Sequence, residues 1–330
     1  MDKVDKQGMY KVYDKWPEIA STSYHENAEH IDYKNIDHIV FAGMGGSGAV
    51  GDLFTSILSK TDIHVNLVKG YHLPKTVDKN TLVVATSVSG NTVETLSVLM
   101  DAAKTDCKII AFSSGGKIEK YCKKNKLFYG NIVKMHSPRA SFIKYVYHIL
   151  GTINSTLPIE KKDILNSISQ LKKTSAKISS DNLSKSNQSL NLARWISGTP
   201  VIYYPWGLQA SAIRLKNSLQ ENAKLHAMAE DVVEACHNGI VSWERKSRMQ
   251  PILIEGHDDY VKTKQRWKII HEYFEENMID YQEVHSVSGS ILAKLVCLIY
   301  VLDYASVYHA ILNKIDPSPV RSIDFVKERM

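Results

Sequence analysis

The segment FAGMGGSGAVGD, residues 41–52, has the composition of a phosphate-binding turn. It lies between an apolar run that predicts a strand and a stretch with helical spacing. The backbone N–H groups around Gly45, Gly46 and Ser47 would then lie at a helix N-terminus, where free N–H groups and the helix dipole favour an anion. The glycine spacing also satisfies G-x-G-x-x-G, so a dinucleotide is a second interpretation of this segment.

A second segment, TSVSGNTVETL at residues 86–96, also joins a predicted strand to a predicted helix. It carries three hydroxyl side chains around a single glycine: Ser87, Ser89 and Thr92. A helix start explains Asn91 as the N-cap and Glu94 as its capping-box partner, but it leaves the three hydroxyls unexplained. In a parallel sheet both segments would follow the carboxyl ends of strands, where ligands bind. Two helix N-termini that face one dianion predict a site for a sugar phosphate.

The elements that must position these segments alternate along the chain. Short apolar runs (HIVFAG, VNLV, TLVVATS, KIIAFSS and LFYGNIV) separate helical patterns between residues 25 and 135, which predicts a five-stranded parallel sheet. Residues 141–197 predict two or three helices, and PVIYYPWG, PILIEG and YQEVHSV then predict further strands. The predicted fold class is α/β, with two doubly wound parallel sheets flanked by helices, in domains 1–150 and 151–330.

Composition narrows the class of protein. The 330 residues carry a net charge of +6 without a basic block, so we expect no nucleic-acid partner. The four cysteines form no C-x-x-C pair and the histidines no zinc-helix pair, so neither a disulfide nor a metal is predicted. The first residues do not resemble a signal peptide, and the apolar run ILAKLVCLIYVL is shorter than the ~20 residues of a membrane span. We expect a soluble, cytoplasmic protein with no membrane partner.

The dinucleotide interpretation lacks an expected acidic residue. Dinucleotide-binding folds place an Asp or Glu at the end of the next strand, where it binds a ribose hydroxyl. VNLVKG offers Asn66 and Lys69 there, so only a version in which Lys69 binds a 2′-phosphate stays open. No GK[ST] tripeptide occurs, which excludes a Walker-type nucleotide loop.

Six stretches resemble the archaeal bifunctional phosphoglucose/phosphomannose isomerases, which are sugar isomerase (SIS) domain proteins. They run in the family's order: GMGGSG (43–48), SVSGNTVET (87–95), SPRASF (137–142), LQENAK (219–224), ACHNGI (235–240) and DPSPVRSIDFVK (316–327). The resemblance implies two SIS domains and a homodimer with active sites near the subunit interface. It implies an isomerase that interconverts glucose 6-phosphate, and mannose 6-phosphate, with fructose 6-phosphate. No metal, nicotinamide or other cofactor is expected for such a proton transfer.

The resemblance also implies roles for single residues. The substrate phosphate would be bound by residues of the two turns: Gly45, Gly46, Ser47, Ser87, Ser89 and Thr92. Glu221 would be the catalytic base, since one carboxylate must collect a non-acidic C–H proton and return it to the next carbon. Arg139 would stabilise the negative charge of the enediolate. His237, from the neighbouring subunit, would help to open the sugar ring, and Lys327 would contact the substrate near its ring oxygen.

One position departs from the family pattern. Val320 stands where the bifunctional members are associated with a threonine, so the space beside C2 is kept and a hydroxyl is lost. Glucose 6-phosphate is therefore the expected substrate, and mannose 6-phosphate is a hypothesis. Three alternatives stay open: another SIS-domain isomerase, acting on a pentose phosphate or an amino sugar; a sugar-phosphate-binding regulator without catalysis; and an NADP-dependent oxidoreductase that uses the glycine turn.

Overall fold

The computed structural model describes residues 1–26 and 30–329, and the chain divides into two compact units. Lys15–Ser169 forms the N-terminal unit, and Met1–Asp14 together with Gln170–Met330 forms the C-terminal unit. The first helix, α1 (Met9–Asp14), therefore belongs to the C-terminal unit. Each unit is built on one parallel sheet flanked by helices, which confirms the fold class predicted from the sequence.

The N-terminal unit contains a five-stranded parallel sheet. Its strands are β1 (His38–Ala42), β2 (His64–Val68), β3 (Thr81–Ser87), β4 (Lys108–Ser113) and β5 (Phe128–Asn131). The order across the sheet is β2-β1-β3-β4-β5, so the direction of strand addition reverses between β1 and β3. Both of these strands are buried along their whole length, which explains their continuous apolar sequences. A reversal of this kind is where doubly wound sheets bind ligands at the carboxyl ends of their strands.

Among the described residues, five helices lie within this unit. They are α2 (Trp16–His25), α3 (Gly45–Leu58), α4 (Val93–Ala102), α5 (Gly116–Asn125) and α6 (Phe142–Ile153). Of these, α3, α4 and α5 each follow a strand. On one helix pair, α2 and α6, the fully buried rings of Trp16 and Phe142 stack with their centroids 6.1 Å apart. α7 (Lys161–Ile178) spans the boundary between the units. With α8 (Gln188–Trp195), α6 and α7 confirm the helices predicted for residues 141–197.

The C-terminal unit contains a four-stranded parallel sheet. Its strands are β6 (Thr199–Tyr204), β7 (Met228–Asp231), β8 (Met249–Glu255) and β9 (Gln282–His285), in the order β7-β6-β8-β9. β7 is absent from the strands predicted from the sequence. Its four residues, MAED, are partly exposed at the edge of the sheet and have no apolar run, so periodicity offers little signal there.

Six further elements surround this sheet. They are α9 (Gln209–Ala223), α10 (Val232–Ala235), a 3₁₀ helix (Gly239–Glu244), α11 (Val261–Glu276), α12 (Ile291–Leu312) and α13 (Arg321–Lys327). Within the part of the chain that the structure describes, α12 is the one helix long and apolar enough to cross a membrane, with a mean hydropathy of 1.8. Of that apolar window 89% is buried inside the protein, and α12 packs on α8 and α9. The apolar run ILAKLVCLIYVL is thus part of a longer apolar helix, Ile291–Leu312, and its burial identifies α12 as a core helix.

Candidate active site

The glycine turn and the hydroxyl turn lie together at the β1/β3 reversal. The glycine turn connects β1 to α3, and the hydroxyl turn connects β3 to α4. The backbone N–H of Val88 donates to the Oγ of Ser47 at 3.1 Å, so one hydrogen bond joins the two turns directly. The backbones also approach closely, because a Cβ on Gly43 would lie 2.9 Å from the carbonyl oxygen of Thr86. Two turns whose bonded residues are 41 positions apart in sequence thus share one edge of the sheet.

Glycine is needed at two positions in the first turn of α3, for two different structural reasons. Gly45 has a φ of +53°, a left-handed conformation that favours glycine, and a Cβ there would meet no atom within 4 Å. Gly46 has ordinary helical geometry, but its Cβ would lie 2.8 Å from the carbonyl oxygen of Pro138 and 3.0 Å from the nitrogen of Arg139. Gly46 therefore allows the SPRASF turn, residues 137–142, to pack against the glycine turn.

Arg139 is brought to the two turns by this close packing. Its side chain is buried, with 3% of the residue exposed, at the start of the segment that leads into α6. The turn around it is held by Ser141, whose Oγ donates to the Ser137 carbonyl at 2.8 Å and accepts from the Met135 N–H at 3.0 Å. The predicted cation and the predicted phosphate turns thus belong to one unit and are in contact through backbone atoms.

The hydroxyl turn is organised around Ser87. Ser87 is buried, and its Oγ accepts a hydrogen bond from the Gly90 N–H at 3.1 Å and lies 2.8 Å from the Oγ1 of Thr92. Gly90 has a φ of +67°, which the tight turn requires. Ser89, by contrast, is exposed, and Thr92 is half-buried. Ser87 therefore shapes the turn from inside, while Ser89 and Thr92 are the hydroxyls that solvent can reach.

The start of α4 differs from the capping box expected from the sequence. Thr92 is the N-cap and its side chain forms no capping hydrogen bond, so the prediction of Asn91 as N-cap was wrong. The Oδ1 of Asn91 accepts from the Lys117 N–H at 3.1 Å, and its Nδ2 donates to the Ser89 carbonyl at 3.1 Å. Asn91 thus fixes the hydroxyl turn to the start of α5. Because no side chain caps α4, the N–H groups of its first turn stay available to a ligand.

Lys69, the residue on which the dinucleotide alternative depends, is already paired. Its Nζ lies 2.7 Å from both carboxylate oxygens of Asp52, which is buried in α3. A 2′-phosphate would have to displace this carboxylate or share the cation with it. The pairing therefore weighs against a nucleotide at the glycine turn.

Glu221 lies half-buried in the last turn of α9, in the C-terminal unit. The helix ends two residues later, and Lys224 follows in the left-handed conformation with a φ of +55°. The Nζ of Lys224 donates to the Glu221 carbonyl at 2.7 Å. The adjacent Asn222 is fully buried, and its Nδ2 donates to the Oγ of Ser306 on α12 at 2.9 Å. These contacts hold the end of α9, and with it the backbone of Glu221, against the core helix.

A buried ion pair joins the same two helices two turns earlier. The Nε of Arg214 on α9 lies 3.0 and 2.9 Å from the carboxylate oxygens of Asp303 on α12, and its Nη2 lies 2.7 Å from Oδ2. Ser218 also donates to Asp303, at 2.6 Å. Burial opposes the charge of Arg214, but Asp303, with smaller effects of Tyr13 and Glu221, raises the pKa of Arg214 above its ordinary value.

The remaining two predicted site residues are exposed. His237 lies in the turn between α10 and the 3₁₀ helix, where its N–H donates to the Glu234 carbonyl at 2.8 Å. Lys327 ends α13, a helix without buried residues. Across residues 1–26 and 30–329, neither side chain hydrogen-bonds to another member of the predicted set. The structure thus brings together the residues of the N-terminal unit, and leaves His237 and Lys327 open to solvent.

Sequence reasoning missed the buried ion pair between α9 and α12. Asp303 sits inside the apolar stretch LIYVLDYASVYHAIL, and a carboxylate in a buried helix requires a partner. That isolated charge was the available signal for an ion pair in the core. The identity of the partner, Arg214, comes only from the packing of α9 on α12.

The class of protein follows from this fold and from comparison with known proteins. Residues 185–330 match the bacterial phospho-glucose isomerase C-terminal SIS domain. A solved structure of tagatose-6-phosphate ketose/aldose isomerase from Escherichia coli has the same fold, with a TM-score of 0.68, 13% identity, and coverage of 96% of each chain. The first finding identifies residues 185–330 as an SIS domain, and the second shows that the chain shares the fold of a solved isomerase structure.

The family is defined by relatives of similar length. A bifunctional phosphoglucose/phosphomannose isomerase from Caldicellulosiruptor bescii is 32% identical over 90% of each chain. Another, from Thermoplasma acidophilum, is 29% identical over 89% of each chain. The chain belongs to the family of bifunctional phosphoglucose/phosphomannose isomerases. This confirms the family predicted from the six sequence stretches and, with it, the predicted class of enzyme, an isomerase.

Proposed function

We propose that the protein interconverts glucose 6-phosphate and fructose 6-phosphate by proton transfer through an enediolate. The observation that carries this proposal is the meeting of two helix N-terminal turns at the β1/β3 reversal, in a chain that belongs to this isomerase family. An aldose and its ketose differ in the position of one carbonyl and one proton. The protein must therefore anchor the phosphate, move the proton and stabilise the charge that forms on oxygen.

The phosphate is anchored by the two turns. The open side of Gly45 and the N–H groups of Gly45 and Gly46 supply one side of the site, since the Ser47 N–H already donates to the Met44 carbonyl at 3.0 Å. Ser89 and Thr92 with the first turn of α4 supply the other side. Each helix dipole stabilises a partly buried dianion by up to ~1 kcal/mol or more. Ser47 and Ser87 hold the turns in this arrangement through their hydrogen bonds to the opposite or adjacent backbone.

Glu221 is the base that carries the proton between C2 and C1. Its half-buried position limits hydration of the carboxylate, and Asn222 fixes the helix end that presents it. Arg139 supplies the cation that stabilises the enediolate, because a buried, fixed charge acts more strongly than a hydrated one. His237 serves ring opening, because an imidazole can exchange a proton near neutral pH. Lys327 contacts the substrate near the ring oxygen.

Three observations support a cytoplasmic homodimer in which the partner subunit completes the site. His237 and Lys327 are exposed, and catalytic side chains need a drier environment than that. The helix that carries Lys327 also exposes apolar side chains: Ile323, Phe325 and Val326. All four cysteines are free, as a reducing compartment requires.

The base is tested with Glu221→Gln, assayed by coupling glucose 6-phosphate formation from fructose 6-phosphate to a dehydrogenase. We expect kcat to fall by about 10²- to 10⁴-fold with a small change in KM, since the substituted amide cannot accept the proton. Glu276→Gln is the matched control, because Glu276 is an exposed glutamate in the last turn of α11. Near-wild-type turnover of the Glu221→Gln enzyme would remove Glu221 from the mechanism, and binding without turnover in the wild type would favour the regulator.

The shared site is tested by mixing two inactive variants, Glu221→Gln and His237→Ala. If each site takes its histidine from the partner subunit, a mixed dimer holds one intact site and one doubly altered site. Random reassociation should then restore about a quarter of wild-type activity. No recovery in dimers shown to have exchanged subunits would place His237 in the same subunit as its Glu221.

Mannose 6-phosphate is the second candidate substrate. The relatives are bifunctional by name, and Val320 is the half-buried N-cap of α13. Valine keeps the volume of threonine but offers no hydroxyl to a substrate oxygen. The same coupled assay with mannose 6-phosphate plus an auxiliary glucose-6-phosphate isomerase would measure this activity. A kcat/KM well below that for glucose 6-phosphate is the expected result.

A further inference from the structure

The C-terminal unit holds a cluster of titratable side chains that the isomerase chemistry does not use. Glu255 ends β8, Glu283 lies in the neighbouring edge strand β9, and His271 projects from α11. One potential ligand atom from each residue lies within 4.8 Å of the other two. The Nε2 of His271 is 2.8 Å from the Oε1 of Glu255 and 3.6 Å from the Oε1 of Glu283.

Two atoms at the centre of this cluster lack hydrogen bonds. The Oε1 of Glu255 and the Nε2 of His271 are both buried and lie 2.8 Å apart as an ion pair, but their orientation is not that of a well-aligned hydrogen bond and neither has another partner. Buried polar atoms are nearly always satisfied by a partner. Among the described residues, no lysine or arginine pairs with Glu255 or Glu283, whose charged neighbours are histidines. A cation in contact with both lone pairs would satisfy the two atoms at once.

The spacing of the ligand atoms suits a small tetrahedral cation. With metal–ligand bonds of about 2.0–2.1 Å, adjacent ligands of a tetrahedral Zn²⁺ lie about 3.3 Å apart. The two distances from His271, 2.8 and 3.6 Å, bracket that value, so small side-chain rotations would complete the geometry. The ring of Tyr281 stacks on His271 with centroids 5.3 Å apart and limits the rotation of the imidazole. On the outer side, His285 Nε2 lies 2.9 Å from Glu283 Oε2 and orients that carboxylate.

We propose that Glu255, His271 and Glu283 bind one Zn²⁺ ion, which ties helix α11 to strands β8 and β9. One imidazole and two carboxylates are a zinc donor set, and a water would take the fourth position. Mg²⁺ and Ca²⁺ prefer oxygen-only ligands, and Mn²⁺ binds such sites more weakly than Zn²⁺. This site has no recognisable sequence pattern, because its ligands come from three elements and are separated by 15 and 11 intervening residues.

The site is tested by zinc titration of the full-length protein after treatment with a chelator and its removal. Isothermal titration calorimetry and metal analysis should give one Zn²⁺ per chain, and saturating zinc should raise Tm by a few degrees. His271→Ala should weaken zinc binding by at least about tenfold and abolish the Tm shift. Co²⁺ in place of Zn²⁺ should give a visible absorption band that His271→Ala removes.

Controls separate a metal site from a simple ion pair. His257→Ala removes an exposed histidine just after β8, paired with Asp258, and should leave zinc binding unchanged. If His271→Ala does not fold, Glu283→Gln tests the same site with a side chain of equal size. Unchanged zinc affinity in both variants, or no stoichiometric binding by the wild type, would overturn the proposal. Isomerase turnover should not depend on zinc, so this test stands apart from that of the proposed function.

Discussion

Replacing Gly46 by alanine would separate the glycine turn from the SPRASF turn. The added Cβ would lie 2.8 and 2.9 Å from the carbonyl oxygen and carbon of Pro138, and 3.0 Å from the nitrogen of Arg139. All three are backbone atoms, which cannot rotate away as a flexible side chain does. The oxygen would be about 0.6 Å closer than the 3.4 Å at which ordinary van der Waals contact begins. One of the two turns must therefore move by about that distance.

Two opposing effects set the stability of this variant. Gly46 is inside α3 without a positive φ, so alanine gains about 0.8–1 kcal/mol of helix propensity. Overpacking against a fixed backbone costs about 1–3 kcal/mol. The net loss in the free energy of unfolding should be small, about 0–2 kcal/mol. Catalysis should suffer more, since displacement of a substrate-positioning group by about 1 Å can cost 10²-fold in rate.

The assay compares kinetics with stability in the same variants. We expect Gly46→Ala to raise KM for fructose 6-phosphate and to lower kcat/KM by about 10- to 100-fold, because both the phosphate turn and Arg139 shift. Urea unfolding measures the accompanying loss of stability. Gly70→Ala is the matched control, since a Cβ there meets no atom within 4 Å and its φ is not positive. Wild-type kcat/KM in Gly46→Ala would refute the assignment of these turns to the substrate.

Two further predictions concern stability. Asp303→Asn leaves the Arg214 charge buried without its partner, so the free energy of unfolding measured in urea should fall by about 3–5 kcal/mol. The double variant Arg214→Leu/Asp303→Leu should lose less stability, because both charges leave the core. Burial lowers the pKa of His148 to about 4, so its contribution to stability is present above pH 6.5 and is lost as the pH falls from 6.5 toward 4. Partial solvent access reduces that loss to about 2 kcal/mol. The free energies of unfolding at pH 7 and at pH 5 should therefore differ less in His148→Gln than in the wild-type protein. An Asp303→Asn protein of wild-type stability, or an equal pH response in His148→Gln, would contradict these two arguments.

The sequence predicted most elements of the fold because their signals are local. Continuous apolar runs identified β1 and β3, which are buried along their length, and helical spacing identified the long helices. β7 was missed because an exposed four-residue edge strand does not need apolar side chains. The start of α4 was also misplaced, since Asn91 could cap a helix as readily as it binds the neighbouring turn, and only the position of α5 decides between them.

The candidate site was predictable where its residues form continuous stretches. The two turns could be expected to meet because both follow strands of one parallel sheet, and the Ser47–Val88 hydrogen bond confirms that meeting. The pair Arg214–Asp303 and the cluster around His271 were not predictable, since each depends on which helix packs against which element. The assignments of Glu221, His237 and Lys327 to catalysis stay predictions that the proposed variants test.

The glycine turn matches a dinucleotide motif for reasons of packing. A Cβ on Gly43 would meet the Thr86 carbonyl at 2.9 Å, and one on Gly48 would meet the Gly43 carbonyl at 2.9 Å, so the outer glycines are required by contacts within the protein. Only Gly45, with open space beside it and a φ of +53°, leaves a face for a ligand. A dinucleotide motif uses its second glycine for the same close approach to phosphate. The shared feature is thus an anion at a helix N-terminus, and the paired Lys69 argues that the anion carries no adenosine 2′-phosphate.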